Sequence, residues 1–165
     1  MLVSNKFETN CKVARLLTHL PAPDKTLKNL TALLRPGGVT IAEDIDFTGY
    51  FCHPASAAHD RYCVLYTRTT QSKGVDPNIG PRLPGLLTGA GLSRVQMNLV
   101  QQVNLVGETK RIPALTMRII ADSVVAGEHA SRDEVERIVT ELAELAERTD
   151  TIMGTPRMFQ AWGRL

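Results

Sequence analysis

Long apolar runs are missing from this chain, and no stretch approaches the roughly 20 consecutive apolar residues that a membrane-spanning helix needs. The opening residues MLVSNKFETNCK lack the apolar core of an export signal. Cysteine is scarce: Cys11, Cys52 and Cys63 form an odd set with no disulfide-framework spacing. Without an export signal, that pattern leads us to expect a reducing cytoplasm. Charge excess is also missing. The net charge is +2 and the basic residues are scattered, which excludes the polyanion footprint of a nucleic-acid binder. Repeats and low-complexity segments are absent as well. What remains is 165 residues, 43% hydrophobic and 22% charged, enough for one globular domain with a real core.

Residues 14–46 organise the rest. Residues 11–17 are mostly apolar around Lys12 and Arg15 and read as a short strand. Pro23 and Asp24 suit the first turn of a helix, the proline by its fixed φ and the aspartate by its charge. Leu27, Leu30, Leu33 and Leu34 then fall on one face at helical spacing. Arg35-Pro36-Gly37-Gly38 stops that helix and turns the chain. Val39 to Ala42 is β-branched and apolar, a buried strand that ends in Glu43-Asp44-Ile45-Asp46. Two strands joined by a crossover helix of about 12 residues should be parallel, with a right-handed connection.

Residues 1–12 make a poorly ordered start, and 47–165 complete the domain. Within that part, 47–54 reads as an aromatic loop, 55–73 as a helix and 81–90 as a short helix closed by Gly91. Val95, Met97 and Leu99 alternate with Gln96 and Asn98, which marks a half-exposed strand near a sheet edge. Residues 114–126 read as a helix. Ser131 and Glu134 form a capping box before a helix with a strong apolar stripe. Residues 158–162 read as a closing strand. In open α/β sheets, ligands sit outside the carboxyl ends of the strands, so His19, after the first strand, and Asp44 and Asp46, after the second, should share one rim.

The series Leu16-Leu17-Thr18-His19-Leu20-Pro21, Leu33-Leu34-Arg35-Pro36-Gly37-Gly38 and Glu43-Asp44-Ile45-Asp46 resembles the second half of the class I S-adenosylmethionine-dependent methyltransferases. Ile79-Gly80-Pro81-Arg82-Leu83-Pro84, Ala90-Gly91-Leu92 and Ala161-Trp162-Gly163 continue it. The resemblance implies an α/β, Rossmann-like sheet of which this chain carries strands 4-5-7-6, the last pair antiparallel, with flanking and cap helices. It also implies S-adenosylmethionine as cofactor and a small-molecule methyl acceptor, with residues 47–165 on the substrate side. The chain departs from the family in one respect: no glycine precedes Ala14, so the glycine-rich cofactor loop is missing. A half-sheet of this kind fits a truncated relic, a misassigned start or half of a split protein. It would leave strand four as an open edge, suited to pairing with a second copy or with a missing N-terminal half. A non-catalytic module using that edge is the alternative reading.

The resemblance gives the rim its chemistry. Methyl transfer from a sulfonium is an in-line displacement that needs alignment, plus a base where the acceptor carries a proton. Imidazole is the side chain that ordinarily titrates nearest neutrality, so His19 is the candidate base, with Asp44 or Asp46 orienting or replacing it. A loop histidine bonded to backbone, and for the acidic turn a solvated loop or a helix-capping role, are the plainer readings. Arg15 matches the family position beside the donor's methionine end, and a salt-bridged structural arginine fits it equally. Cys52, His53, His59 and Cys63 include metal-ligand types, but the paired C-x-x-C spacing is absent and no metal is expected. Tyr50, Phe51, Tyr62 and Tyr66 read either as core or as the wall of an apolar acceptor pocket.

Overall fold

The computed structural model describes residues 8–165. In chain order the elements are β1 (Glu8–Ala14), α1 (Pro23–Thr31), β2 (Leu34–Asp46), β3 (Phe51–His53), α2 (Ala57–Ser72), α3 (Leu83–Gly89), β4 (Ser93–Val100), β5 (Val103–Asn104), α4 (Ile112–Ala126), α5 (Arg132–Glu147), β6 (Ile152–Gly154) and β7 (Arg157–Arg164). They form two compact units. One holds the described residues up to Asp46 with Asn78–Val100 and Met158–Leu165; the other holds Phe47–Pro77 and Gln101–Arg157.

The first unit is built on a sheet of order β1-β2-β7-β4. β1 runs parallel to β2, with Val13 opposite Ala42 and Ala14 opposite Glu43. β7 meets β2 in the opposite sense: the Gly37 N–H donates to the Leu165 carbonyl at 3.0 Å, while Gln160 reaches Glu43 further along at 2.6 Å. β4 is antiparallel to β7. The expected order of strands, 4-5-7-6, is therefore present as four adjacent strands. Val13, Leu27, Leu34, Ala42, Leu83 and Leu87 fill the core between this sheet and the helices α1 and α3.

Several boundaries differ from the sequence reading. Residues 1–7 lie outside the described part, but Glu8 to Asn10 already belong to β1, because Asn10 finds Val39 opposite it. The strand stops at Ala14, since Arg15 turns into the left-handed region at φ 52°. α1 ends at Thr31, whose hydroxyl folds back onto the Leu27 carbonyl. Leu33 is left exposed, and Leu34 is a core residue of β2. Arg35-Pro36-Gly37-Gly38 turns out as a bulge near the start of β2: Leu34 pairs with Glu8 and Val39 with Asn10, so the intervening residues loop out. Gly37 takes φ +80° there, which explains a glycine at that position. Gly80 serves a close approach instead, because a Cβ would lie 2.7 Å from the Phe159 ring and 3.0 Å from the Ile45 carbonyl.

The second unit packs α2, α4 and α5 together beside a small antiparallel sheet of order β3-β6-β5. The aromatic loop of the sequence reading contains a 3-10 turn, Phe47–Gly49, and then β3. Ser131 is the N-cap of α5, its hydroxyl accepting from the Glu134 N–H at 3.2 Å. Arg61 of α2 bonds Glu134 of α5 at 2.7 Å. Lys110, before α4, is fully buried. Its ammonium donates to the Arg148 carbonyl at 2.5 Å, the Thr151 hydroxyl at 2.8 Å, and the carbonyls of Thr151 and Leu105, each at 3.2 Å. Those oxygens come from segments on both sides of the helix pair, so one buried cation joins them. Among the described residues, no helix is long and apolar enough to cross a membrane.

Candidate active site

Two adjacent parallel strands that end side by side create the rim. β1 delivers the chain to Arg15, whose N–H still bonds the Glu43 carbonyl of β2 at 2.8 Å despite its left-handed backbone. That conformation costs an L-residue of order 1 kcal/mol and swings the chain out of the sheet. A 3-10 turn, Leu17–His19, follows at once, with Leu17 anchored in the core and His19 exposed.

Asp44 holds that turn in place. Its side chain is buried, and one carboxylate oxygen accepts from the Thr18 N–H at 3.0 Å. The other accepts from the Ile45 N–H at 2.9 Å. Burial pushes the Asp44 carboxyl above its ordinary range; the backbone donors at Thr18 and Ile45 and the nearby His19 pull the other way. Asp46 ends β2, also buried, and Arg15 is exposed at the end of β1. The structure thus places all four sequence candidates, Arg15, His19, Asp44 and Asp46, at the carboxyl ends of neighbouring strands. It gives Asp44 a definite task, clamping the turn that carries His19. Asp44 and Asp46 are buried rather than solvated, and the Asp44 bond to the Thr18 N–H is a contact of the capping type.

The second unit holds the aromatic residues. Tyr62 is core, at 1% exposure. Tyr66 stacks on Phe47 with ring centroids 4.1 Å apart, and Tyr50 meets Phe47 edge-on at 5.4 Å. Phe51 sits on β3. Phe47, Thr48, Tyr50, Cys63, Val64, Thr67 and Arg68 line a surface hollow of about 320 Å³. Of the proposed pocket residues only Tyr50 is among these, and Phe47 and Arg68 are additions. Phe47 directly follows the acidic stretch, and no periodicity marks it as pocket rather than core.

His59 and Cys63 do share a face of α2, with the imidazole Nδ1 3.9 Å from the thiol. His59 is buried against Tyr50, and its Nε2 has no hydrogen-bond partner among the described residues. Burial lowers the pKa of the imidazole and pushes the Cys63 thiol up to about 12. A thiol so protonated is a poor metal ligand. No group of three or more His, Cys, Asp or Glu among the described residues is placed to hold a metal ion.

No family model matches the chain. In sequence it is similar to Methyltransferase str3 of Strobilurus tenacellus, 32% identical over an alignment of 131 residues that covers 74% of this chain and 46% of that protein. The chain thus spans about half the length of this curated relative. Among solved structures, it is similar to a Bacillus halodurans protein assigned to the methyltransferases: 12% identity, 99% of this chain and 72% of that one, TM-score 0.48. It is also similar to a phosphoethanolamine N-methyltransferase 2 of Haemonchus contortus, solved with phosphomonomethylethanolamine and S-adenosylhomocysteine. There the identity is 13% over 94% of this chain and 33% of that one, with a TM-score of 0.42.

Proposed function

We infer, from the family relationship of this chain to the class I methyltransferases, that it forms the acceptor-side part of an enzyme that methylates a small molecule. The donor would be S-adenosylmethionine. The observation that carries this reading is the rim at the ends of β1 and β2, where an exposed His19 stands on a turn clamped by the buried Asp44. In this reading His19 takes a proton from the acceptor's hydroxyl or amine, and Asp44 positions it by holding the Thr18 backbone. Asp46 lies at the same strand end, and the exposed Arg15 would hold the donor's carboxylate.

The donor fits this chain's own residues only in part. Arg15 offers a cation, but the sequence contains no G-x-G-x-G run for a cofactor cradle. β1 is the outer strand of its sheet, with no strand on its far side among the described residues. A further strand, from a second copy or from a glycine-rich half, would pair there.

A methyl-transfer assay tests this reading. The chain is incubated with methyl-labelled donor and a panel of hydroxyl- and amine-bearing small molecules, alone and with a polypeptide supplying the glycine-rich strands. Label transfer should depend on that complement and fall about 100-fold or more when His19 is replaced by alanine. No transfer with any complement, or transfer untouched by His19→Ala, would overturn the assignment.

A further inference from the structure

The hollow in the second unit has a composition that selects its ligand. Phe47, on the 3-10 turn, and Tyr50, just after it, line the hollow with the edges of largely buried rings, while Cys63, Val64, Thr67 and Arg68 come from one face of α2. Phe47 is held by its stack on Tyr66 and Tyr50 by its edge contact with Phe47, so the aromatic wall is fixed before any ligand arrives. Its volume of about 320 Å³ is at the small end for ligand sites, with room for one ring or a fused pair. Arg68 is the single charged residue of the lining. It is exposed, and no carboxylate among the described residues pairs with it. Cys63 adds no charge near neutrality, because burial pushes its thiol pKa up to about 12. The site therefore combines an apolar, ring-lined wall with one uncompensated guanidinium. Flat aromatic molecules pack against such walls in offset or edge-on geometry, and a guanidinium grips a carboxylate through two parallel hydrogen bonds.

We propose that this hollow binds a small aromatic carboxylate, with the ring against Phe47 and Tyr50 and the acid group on Arg68. If that ligand is the methyl acceptor, the assignment rests on the methyltransferase reading above; the binding itself requires no donor. The two are separated by measuring binding alone. 4-Hydroxybenzoate and its neutral analogue 4-hydroxybenzamide are titrated into the full chain, and the NMR signals of Val64 and Thr67 are followed. The benzoate should shift them saturably below about 10 mM. Arg68→Gln, at an exposed position that does not disturb folding, should weaken the benzoate by about ten-fold and leave the benzamide unchanged. Val64→Trp should fill the hollow and abolish both. The proposal is overturned if the benzoate produces no saturable shift at Val64 or Thr67. It is equally overturned if Arg68→Gln leaves benzoate affinity intact or weakens the two probes alike.

Discussion

Replacing Lys110 with methionine should cost the second unit about 3–5 kcal/mol, the largest single-residue effect expected in this chain. The argument starts from burial. A fully buried ammonium is tolerable only when its donors are satisfied, and here four oxygens from Leu105, Arg148 and Thr151 meet it. Methionine matches the length of the lysine stem but leaves those oxygens facing a thioether and a methyl group. Each buried acceptor stripped of its donor costs about 1–3 kcal/mol, and a charge-assisted bond is at the upper end. Lys110→Arg should also be destabilising, because a planar fork cannot reproduce a compact three-donor head. An exposed control, Lys12→Met, should change stability by less than about 0.5 kcal/mol. Urea denaturation of the variants measures all three. A Lys110→Met loss below about 1 kcal/mol would show that water reaches those oxygens and that the cage is not a structural joint.

The Asp44 variants should separate clamp from chemistry. Asp44→Ala leaves the Thr18 and Ile45 N–H groups without their acceptor and should cost about 3 kcal/mol. Asp44→Asn keeps one oxygen acceptor and removes a buried charge, so its cost should be about 1 kcal/mol. The pH dependence carries a sign. Burial holds the folded pKa of Asp44 above its ordinary 3.8, so the folded state binds this proton more readily than the unfolded state. The favourable contribution is complete below pH 3.8 and is lost as pH rises through the raised folded value. The wild type should therefore gain on Asp44→Asn as pH falls toward 4. Denaturant titrations at pH 4 and pH 7 read this directly. Equal differences at the two pH values would mean that burial does not hold the Asp44 carboxyl above its ordinary range.

The first unit was far more legible in the sequence than the second. Its strands are long enough to register as apolar or alternating runs, although the Leu-Arg-Pro-Gly-Gly step lies within β2 and the helix ends before it, at Thr31. The four-strand order came from the resemblance to the class I methyltransferases, not from the residue pattern itself. Two details escaped because one pattern serves two structures: Leu33 and Leu34 continue the helical spacing of Leu27 and Leu30, yet the helix ends at Thr31. In the second unit, β3, β5 and β6 are two or three residues long, too short for any alternation to register. Lys110 sits in Gly-Glu-Thr-Lys-Arg, a polar run that reads as solvated surface. Its four oxygen partners come from Leu105, five residues before it, and from Arg148 and Thr151, 38 and 41 residues after it, a pairing that no local pattern announces. At the rim, periodicity identified His19, Asp44 and Asp46 as neighbours but could not show that Asp44 faces inward and bonds the backbone beneath His19.

The central claim is that the ends of β1 and β2 form one wall of a methyl-donor cleft whose glycine-rich wall is not among this chain's residues. Titration of S-adenosylhomocysteine into the isotope-labelled chain tests it directly. The amide signals of Arg15, Thr18, His19 and Glu43 to Asp46 should shift together, with an affinity no tighter than about 1 mM. Saturation at micromolar concentration, or shifts that bypass this rim altogether, would contradict the account.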